Sequence, residues 1–430
     1  MRDRYGLPLS TTAPAAELYN QALDRLLALE SGAEVLLEQA VSVDHSFALG
    51  HATLAAVGAE FGVQVDVRAH LSAARRHASR ATERERSFIG AVRSRITAPA
   101  QVGAQQLLRH IDAHPRDALA VTMAVPTIAF AGAIDIPEQG WQLIESLRPV
   151  YGSDWWFLGL LAFTRQEQNR FTDAAELAEA GLALRPQSGH AAHALTHAYF
   201  ETGRHDEGLA WLDGWIDRCA PGAVNGVHFS WHAALHELAI GDDAGVRHRY
   251  LTQIAPPLAT GTRALVDSGS LLWRCQLNGS WAGRLPIEDV LAQAGESALY
   301  RPENAFVGLH AAIALAAARD TAGLRRLARW IAADPRPEYR ELLAPVVSAM
   351  IALVGGQLDR AADLLLALPR RTQPLGGSAA QREILEDTLL YTLIAAGRWT
   401  EAGRILDARL DRRPNPRDSR RRDALAPVRS

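Results

Sequence analysis

Two pairs of histidines are the residues of this sequence best suited to chemistry. His193 and His197 are four positions apart, as are His228 and His232, and Trp231 directly precedes the last of them. In a helix, this spacing places both side chains of a pair on one face. Imidazole exchanges protons near neutral pH and also binds metals. Three interpretations therefore stay open: a packed polar face, a proton-transfer site and a metal site.

A second group of polar residues lies farther along the chain. Asp267 and Arg274 are seven positions apart, so on one helix they share a face, either as a structural ion pair or as part of a site. Gln381 and Arg382 follow Gly376-Gly377-Ser378. That segment predicts a turn with a serine N-cap, or a helix N-terminus that binds an anion. These residues would add a carboxylate and guanidinium groups to a site that the histidines form.

Paired helices must position these side chains. Segments rich in alanine and leucine, with apolar residues three and four positions apart, end at short polar or glycine turns, whereas strand-like alternation is scarce. Phe171 and His205 lie in equivalent segments and are 34 positions apart, which is the tetratricopeptide period. Ala174 and Pro186 match the small residue and the terminal proline of that repeat. The sequence therefore predicts an all-α, right-handed superhelical solenoid of tetratricopeptide-like helix hairpins.

We predict a single tetratricopeptide-like helical-repeat domain over residues 1–430, in which residues 412–430 form a basic C-terminal tail or cap. In a solenoid of this kind, the first helix of each pair lines the concave groove. The histidine pairs and the later polar residues fall on predicted first helices. We therefore expect them to face the groove together.

Composition excludes several classes of function. The chain has 430 residues and a formal net charge of −3, which argues against nucleic-acid binding through a basic surface. All 45 basic residues are arginines, a bias typical of a GC-rich bacterial genome, so a lysine Schiff base and a Walker A loop are excluded. Cys219 and Cys275 are too few for a disulfide framework or a thiolate zinc site. Without an apolar run of membrane-spanning length or a signal core, we expect a cytoplasmic protein with no membrane partner.

Several short motifs follow one another along the chain: Gly6-Leu7-Pro8-Leu9-Ser10-Thr11, Gly50-His51-Ala52, His114-Pro115, the two His-x-x-x-His segments, residues 266–274 and residues 375–382. In these motifs the chain resembles the tetratricopeptide repeat protein 38 family, found in bacteria and animals, over nearly its whole length. The resemblance implies polar residues that suit a small-molecule or catalytic pocket better than a peptide groove. Phe88 and Val307-Gly308 replace polar residues of the family, which implies a more apolar ligand or a lost activity.

These observations favour two functions. The first is a protein that binds a small organic ligand in a concave pocket lined by histidine and arginine, with turnover by histidine acid–base chemistry left open. The expected catalytic residues are His193, His197, His228, His232 and Asp267, and the expected ligand-binding residues are Trp231, Arg274, Gln381 and Arg382. The alternative is an adaptor that holds a partner protein or peptide in the groove, as tetratricopeptide arrays commonly do. We assign no metal and no other cofactor.

Overall fold

The fold is all-α. The computed structural model describes residues 1–61, 64–129 and 136–425. Within these ranges, the extended backbone pairs only at two isolated bridges, between Arg2 and Pro8 and between Glu30 and Ala223. The predicted all-α class, with helices joined by short turns, is confirmed.

The chain divides into two compact units. The first unit contains residues 1–195 and 222–225, and the second contains residues 196–221 and 226–430. The single domain over residues 1–430 stays a prediction.

The first unit is built from consecutive helices that pack in pairs, α1 on α2, α3 on α4, α5 on α6 and α10 on α11. Their bounds are α1 Ala13–Ala28, α2 Ala33–Val43, α3 Ala48–Phe61, α4 Val67–His77, α5 Glu83–Thr97, α6 Ala100–Ala113, α7 Ala118–Ala129, α8 Ile136–Ser146, α9 Arg148–Tyr151, α10 Trp155–Glu167 and α11 Phe171–Leu184. Helix α12, Gly189–Glu201, contains the boundary between the two units. The fully buried side chains of Phe47, Phe88 and Trp156 belong to the core of this unit.

The second unit repeats the pairing, for example α13 on α14, α17 on α18 and α20 on α21. Its helices are α13 His205–Cys219, α14 Gly226–Ile240, α15 Asp243–Arg249, α16 Ser270–Asn278, α17 Ile287–Tyr300, α18 Ala305–Ala317, α19 Thr321–Ala332, α20 Ala344–Val354, α21 Leu358–Leu366, α22 Ala379–Arg382, α23 Ile384–Ala395, α24 Trp399–Arg412 and α25 Pro416–Leu425. Tyr250–Ile254, Ala264–Gly269 and Tyr339–Leu343 are π-helical. A short 3₁₀ turn occurs in this unit at Gln373–Leu375, another occurs in the first unit at Ala78–Arg80, and a third at Ala220–Gly222 contains a boundary between the units.

At the position where the repeat requires a small residue, a glycine allows the helices to pack closely. Gly208 in α13 lies 34 positions after Ala174, so it occupies the equivalent place in the next repeat. A Cβ atom at Gly208 would lie 2.6 Å from Cε1 of His236 and 2.8 Å from Cβ of Tyr199. Contacts this short need a residue without a side chain, which explains why the repeat requires a small residue here.

The C-terminal segment is folded through residue 425. Helix α25 packs against α14 and α24, and the Arg413 side chain, which lies just before it, is buried. Arg413 donates to Glu201 Oε2 at 3.0 Å and also pairs with Glu383. The predicted basic C-terminal segment thus includes a packed helix, and its last five residues lie outside the described ranges.

Candidate histidine–carboxylate site

Helix α14 brings a row of histidines into the interior of the second unit. His228, His232 and His236 follow one another at intervals of four, so they share one face of the helix. Every residue from 228 to 239 is buried. His228 and His232 were predicted from the sequence, whereas His236 was not, although the continued four-residue spacing was a signal for it.

His228 forms a hydrogen bond with the carboxylate of Asp267, which lies in the π-helical segment Ala264–Gly269. Its Nδ1 lies 2.8 Å from Oδ1 of Asp267, whose side chain is 0% exposed. Arg263 donates to the other carboxylate oxygen at 3.3 Å. Burial raises the pKa of Asp267, but the charges and hydrogen bonds of His228 and Arg263 outweigh burial and hold this pKa below its ordinary value. Because the carboxylate is ionised, Nδ1 of His228 carries a proton and donates it, and in the neutral form of the ring the lone pair is then on Nε2.

Two more histidine rings continue inward from His228. The ring centroids of His228 and His232 are 4.6 Å apart, and those of His232 and His197 are also 4.6 Å apart. Burial lowers the pKa of His197 to about 3, and the charge of His228 contributes to the shift. The His197 ring is therefore neutral at pH 7.

Of the four predicted histidines, three lie together in the second unit. Ring nitrogens of His197 and His232 lie within 4.8 Å of each other, but a structural zinc site needs four ligands. His193 belongs to the first unit, one turn before His197 on α12, and its ring stacks on Phe163 with a centroid separation of 5.4 Å. A metal at these histidines stays a hypothesis.

Trp231 separates the histidine row from the buried arginine. Its ring is parallel to that of His228, at a centroid distance of 5.3 Å, and the Arg274 guanidinium lies 5.5 Å from its ring centroid. The indole N–H donates to Ser270 Oγ at 3.0 Å. His228 and Arg274 therefore flank one fully buried indole, whose hydrogen bond fixes its orientation.

Arg274 does not pair with Asp267. Its Nε donates to Asp387 Oδ2 at 3.1 Å and its Nη2 to the carbonyl of Ala380 at 2.8 Å. Asp267 lies in the π-helical turn Ala264–Gly269, whereas Arg274 lies in the α-helix that follows, so the two residues do not keep the seven-residue register of a single α-helix. The third nitrogen, Nη1, is buried and has no hydrogen-bond partner among the described residues.

Gln381 and Arg382 shape the turn before α22. Ser378 N donates to Gln381 Oε1 at 2.9 Å, and Gln381 N donates to Ser378 Oγ at 3.3 Å, which together form a capping box. Arg382 Nη1 donates to the carbonyls of Gly376 and Gly377. The predicted serine N-cap is therefore present. The ligand-binding roles of Gln381 and Arg382 stay predictions.

His310 is an interior residue that the sequence analysis did not select. It lies on α18, where its Nδ1–H donates to the carbonyl of Phe306 at 2.8 Å and its Nε2 is buried without a partner among the described residues. Burial lowers the pKa of His310 to about 4, and the charge of Arg274 adds to the shift. A single histidine in the otherwise apolar sequence of α18 was the available signal.

A cavity in the second unit lies apart from these residues. Its volume is about 410 Å³, and its lining includes Cys275, Trp281, Ile287 and Arg319 but none of the predicted site residues. The histidine–carboxylate site belongs to the packed interior, because Asp267, His197 and His232 are each no more than 1% exposed.

Comparison with known proteins agrees with the repeat seen in the sequence. Residues 166–218 match the tetratricopeptide repeat family model. Among solved structures, the chain is similar to the crystal structure of the P58(IPK) TPR domain, with 12% identity and a TM-score of 0.20, over 87% of this chain and 99% of that chain. In the described ranges, no helix has the length and apolar character needed to cross a membrane. The chain is an all-α helical-repeat protein that contains a tetratricopeptide-like segment at residues 166–218.

Proposed function

We propose that the second unit binds a small organic anion and that His228, oriented by Asp267, exchanges a proton with it. The observation that carries the proposal is the 2.8 Å hydrogen bond between His228 and a fully buried, ionised Asp267. Removing a carboxylate from water is costly unless it is paired. Here the pairing fixes the imidazole in the tautomer whose Nε2 is a base, as general acid–base catalysis requires.

Proton exchange also requires a route to solvent. The His228 side chain keeps 11% of its surface exposed, and the Arg263 side chain on the other side of Asp267 keeps 40%. The pair therefore lies at the edge of the interior, and His232 and His197 lie farther inside.

The expected charge of the ligand follows from Arg274. A buried hydrogen-bond donor without a partner costs about 1–3 kcal/mol, and more when the group is charged. A carboxylate at Nη1 would remove this cost. His310 Nε2 is a second buried group without a partner among the described residues of the same unit.

The second candidate is the adaptor, which the tetratricopeptide match over residues 166–218 favours. An adaptor would use other residues, because Asp267, His197 and His232 are each no more than 1% exposed. An extended peptide would reach them only if the helices separated. That the chain is a divergent member of the tetratricopeptide repeat protein 38 family is also part of our proposal, and it favours the pocket.

Calorimetric titration of the full chain with phenyllactate, phenylpyruvate and 2-oxoglutarate tests the binding step. We expect at least one of these carboxylates to bind, and Arg274→Gln to weaken that binding at least tenfold. Arg284→Gln is the matched control, because Arg284 is an exposed arginine paired only with Glu288 among the described residues. If none of the three binds, or if Arg274→Gln binds equally well, the proposal is wrong.

Hydrogen exchange tests the proton-transfer step separately. We expect the protein to accelerate exchange of the C3 protons of phenylpyruvate with D₂O, as followed by proton NMR, and His228→Gln to abolish the acceleration. Binding without acceleration would leave a ligand-binding protein and remove the catalytic part of the proposal.

A further inference from the structure

The first unit contains a cavity that is independent of the histidine–carboxylate site. Its volume is about 330 Å³, at the lower end of the range of about 300–1,000 Å³ that is typical of small-molecule pockets. Three parts of the unit form it: the segment before α1, the loop between α6 and α7, and the region where α9 meets α10. The lining residues are Arg4, Tyr5, Arg116, Val150, Tyr151 and Asp154.

Tyr151 lines this cavity and carries an unexplained hydroxyl. The residue is only 8% exposed, and its Oη has no hydrogen-bond partner among the described residues. The rings of Trp156 and Phe157, each 5.1 Å from the Tyr151 ring, hold it in place. Burial raises the pKa of Tyr151 well above its ordinary value, so the hydroxyl stays protonated and can donate. The hydroxyl has no acceptor among the described residues, and a bound ligand would supply one.

The two arginines of the cavity differ in what they already bind. Arg4 is shared between Asp24 at 2.6 Å and Asp154 at 3.5 Å. Arg116 is exposed and forms no ion pair with a described residue. Its charge acts on the Tyr151 hydroxyl in opposition to the stronger effect of the Asp117 carboxylate, which is itself paired with Arg84. A residue with an uncompensated guanidinium and a residue with an unpartnered hydroxyl therefore line the same space, and both groups favour a negatively charged acceptor.

The negative charge in the lining is already compensated. Asp154 caps α10 by accepting from Trp156 N at 3.0 Å, accepts from the Tyr5 hydroxyl at 3.4 Å and pairs with Arg4. It therefore opposes an anion only weakly. The rings of Tyr5 and Tyr151 meet edge to face, with centroids 5.4 Å apart, and offer an aromatic wall.

We propose that this cavity binds a small aromatic carboxylate. The carboxylate pairs with Arg116 and accepts from the Tyr151 hydroxyl, and its ring packs against Tyr5 and Tyr151.

Calorimetric titration of the full chain with benzoate, and with uncharged benzamide for comparison, tests this site. The titration uses the Arg274→Gln background, so that binding in the second unit does not contribute and each proposal can fail without the other. We expect benzoate to bind at least tenfold more tightly than benzamide, and both Arg116→Gln and Tyr151→Phe to weaken benzoate binding at least tenfold. Arg148→Gln is the matched control, because Arg148 is an exposed arginine of α9 that pairs with Glu145.

Thermal unfolding separates a ligand contact from a structural role. Tyr151→Phe removes only the unpartnered hydroxyl, so the melting temperature of the ligand-free protein should not fall. The proposal is overturned if benzoate does not bind, if Tyr151→Phe binds it equally well, or if a crystal grown with benzoate shows only an ordered water at Oη.

Discussion

The imidazole of His228 donates to the carboxylate of Asp267 across 2.8 Å, although the two residues are 39 positions apart in the chain. The contact joins α14 to the π-helical turn before α16. It places an ionised group inside the second unit and at the same time orients a base, so both the stability and the proposed chemistry depend on it.

Loss of the carboxylate charge should destabilise the protein. Asp267→Asn keeps the shape of the side chain but leaves His228 and Arg263 without their anionic partner, and breaking a buried pair typically costs about 3–5 kcal/mol. We expect the free energy of unfolding in urea to fall by this amount. Asp359→Asn, at an exposed position in the first turn of α21, should change it by less than about 0.5 kcal/mol. Equal stability of the two variants would contradict the role of Asp267.

The buried histidines should make the protein sensitive to mild acid. Burial lowers the pKa of His197 and His236 to about 3 and that of His205 and His310 to about 4, from an ordinary 6.5. Below pH 6.5 the unfolded chain therefore binds protons that the folded chain does not. Stability is full above pH 6.5 and falls as the pH decreases towards about 4, by about 1.4 kcal/mol per pH unit for each histidine.

Urea unfolding at pH 7.5, 6 and 5 measures this slope. His310→Gln removes one of these buried histidines and should make the slope shallower by about one proton. A stability that does not change between pH 7.5 and 5 would show that these histidines are not buried as neutral rings.

Close packing at Gly208 should resist even a methyl group. Gly208→Ala would place Cβ 2.6 Å from His236 Cε1 and 2.8 Å from Tyr199 Cβ, and overpacking of this kind costs about 1–3 kcal/mol. Gly214 lies on the same helix, where a Cβ would meet only the flexible end of Arg218 at 3.2 Å. Gly214→Ala should therefore be neutral or stabilising by up to about 1 kcal/mol. Thermal unfolding measures the stability of both variants. Equal melting temperatures would contradict the close packing at Gly208.

The two thiols should differ in reactivity. Cys275 is fully buried, and burial raises the pKa of its thiol to about 12, whereas Cys219 is partly exposed. Alkylation requires an accessible thiolate. Intact mass after iodoacetamide treatment of the native protein at pH 8 should therefore show one label, and a second should appear only in urea. Two labels under native conditions would contradict the burial of Cys275.

Local patterns in the sequence predicted the helices and part of the site. The 34-residue spacing of Phe171 and His205 matches the starts of α11 and α13, because the placement of small and apolar residues determines the repeat. The four-residue spacing likewise placed His228 and His232 on one face of α14. Both features depend only on neighbours within one or two helices.

Pairing between distant segments could not be predicted. The seven-residue spacing of Asp267 and Arg274 indicated one helical face, but a π-helical turn changes the register, and Arg274 pairs with Asp387, 113 positions away. His310 was missed for a related reason: its burial depends on how α18 packs, which its own sequence does not specify. Spacing identifies residues that share a helix face, whereas tertiary packing chooses their partners.

Nitrogen-15 NMR of the His228 ring, in the wild type and in Asp267→Asn, tests the central claim most directly. At a pH where the ring is neutral, we predict that Nδ1 carries the proton in the wild type, that Asp267→Asn gives a mixture of tautomers, and that phenylpyruvate shifts the Nε2 resonance only when Arg274 is present. A wild-type ring protonated on Nε2, or a spectrum unchanged by both Asp267→Asn and the ligand, would contradict the account.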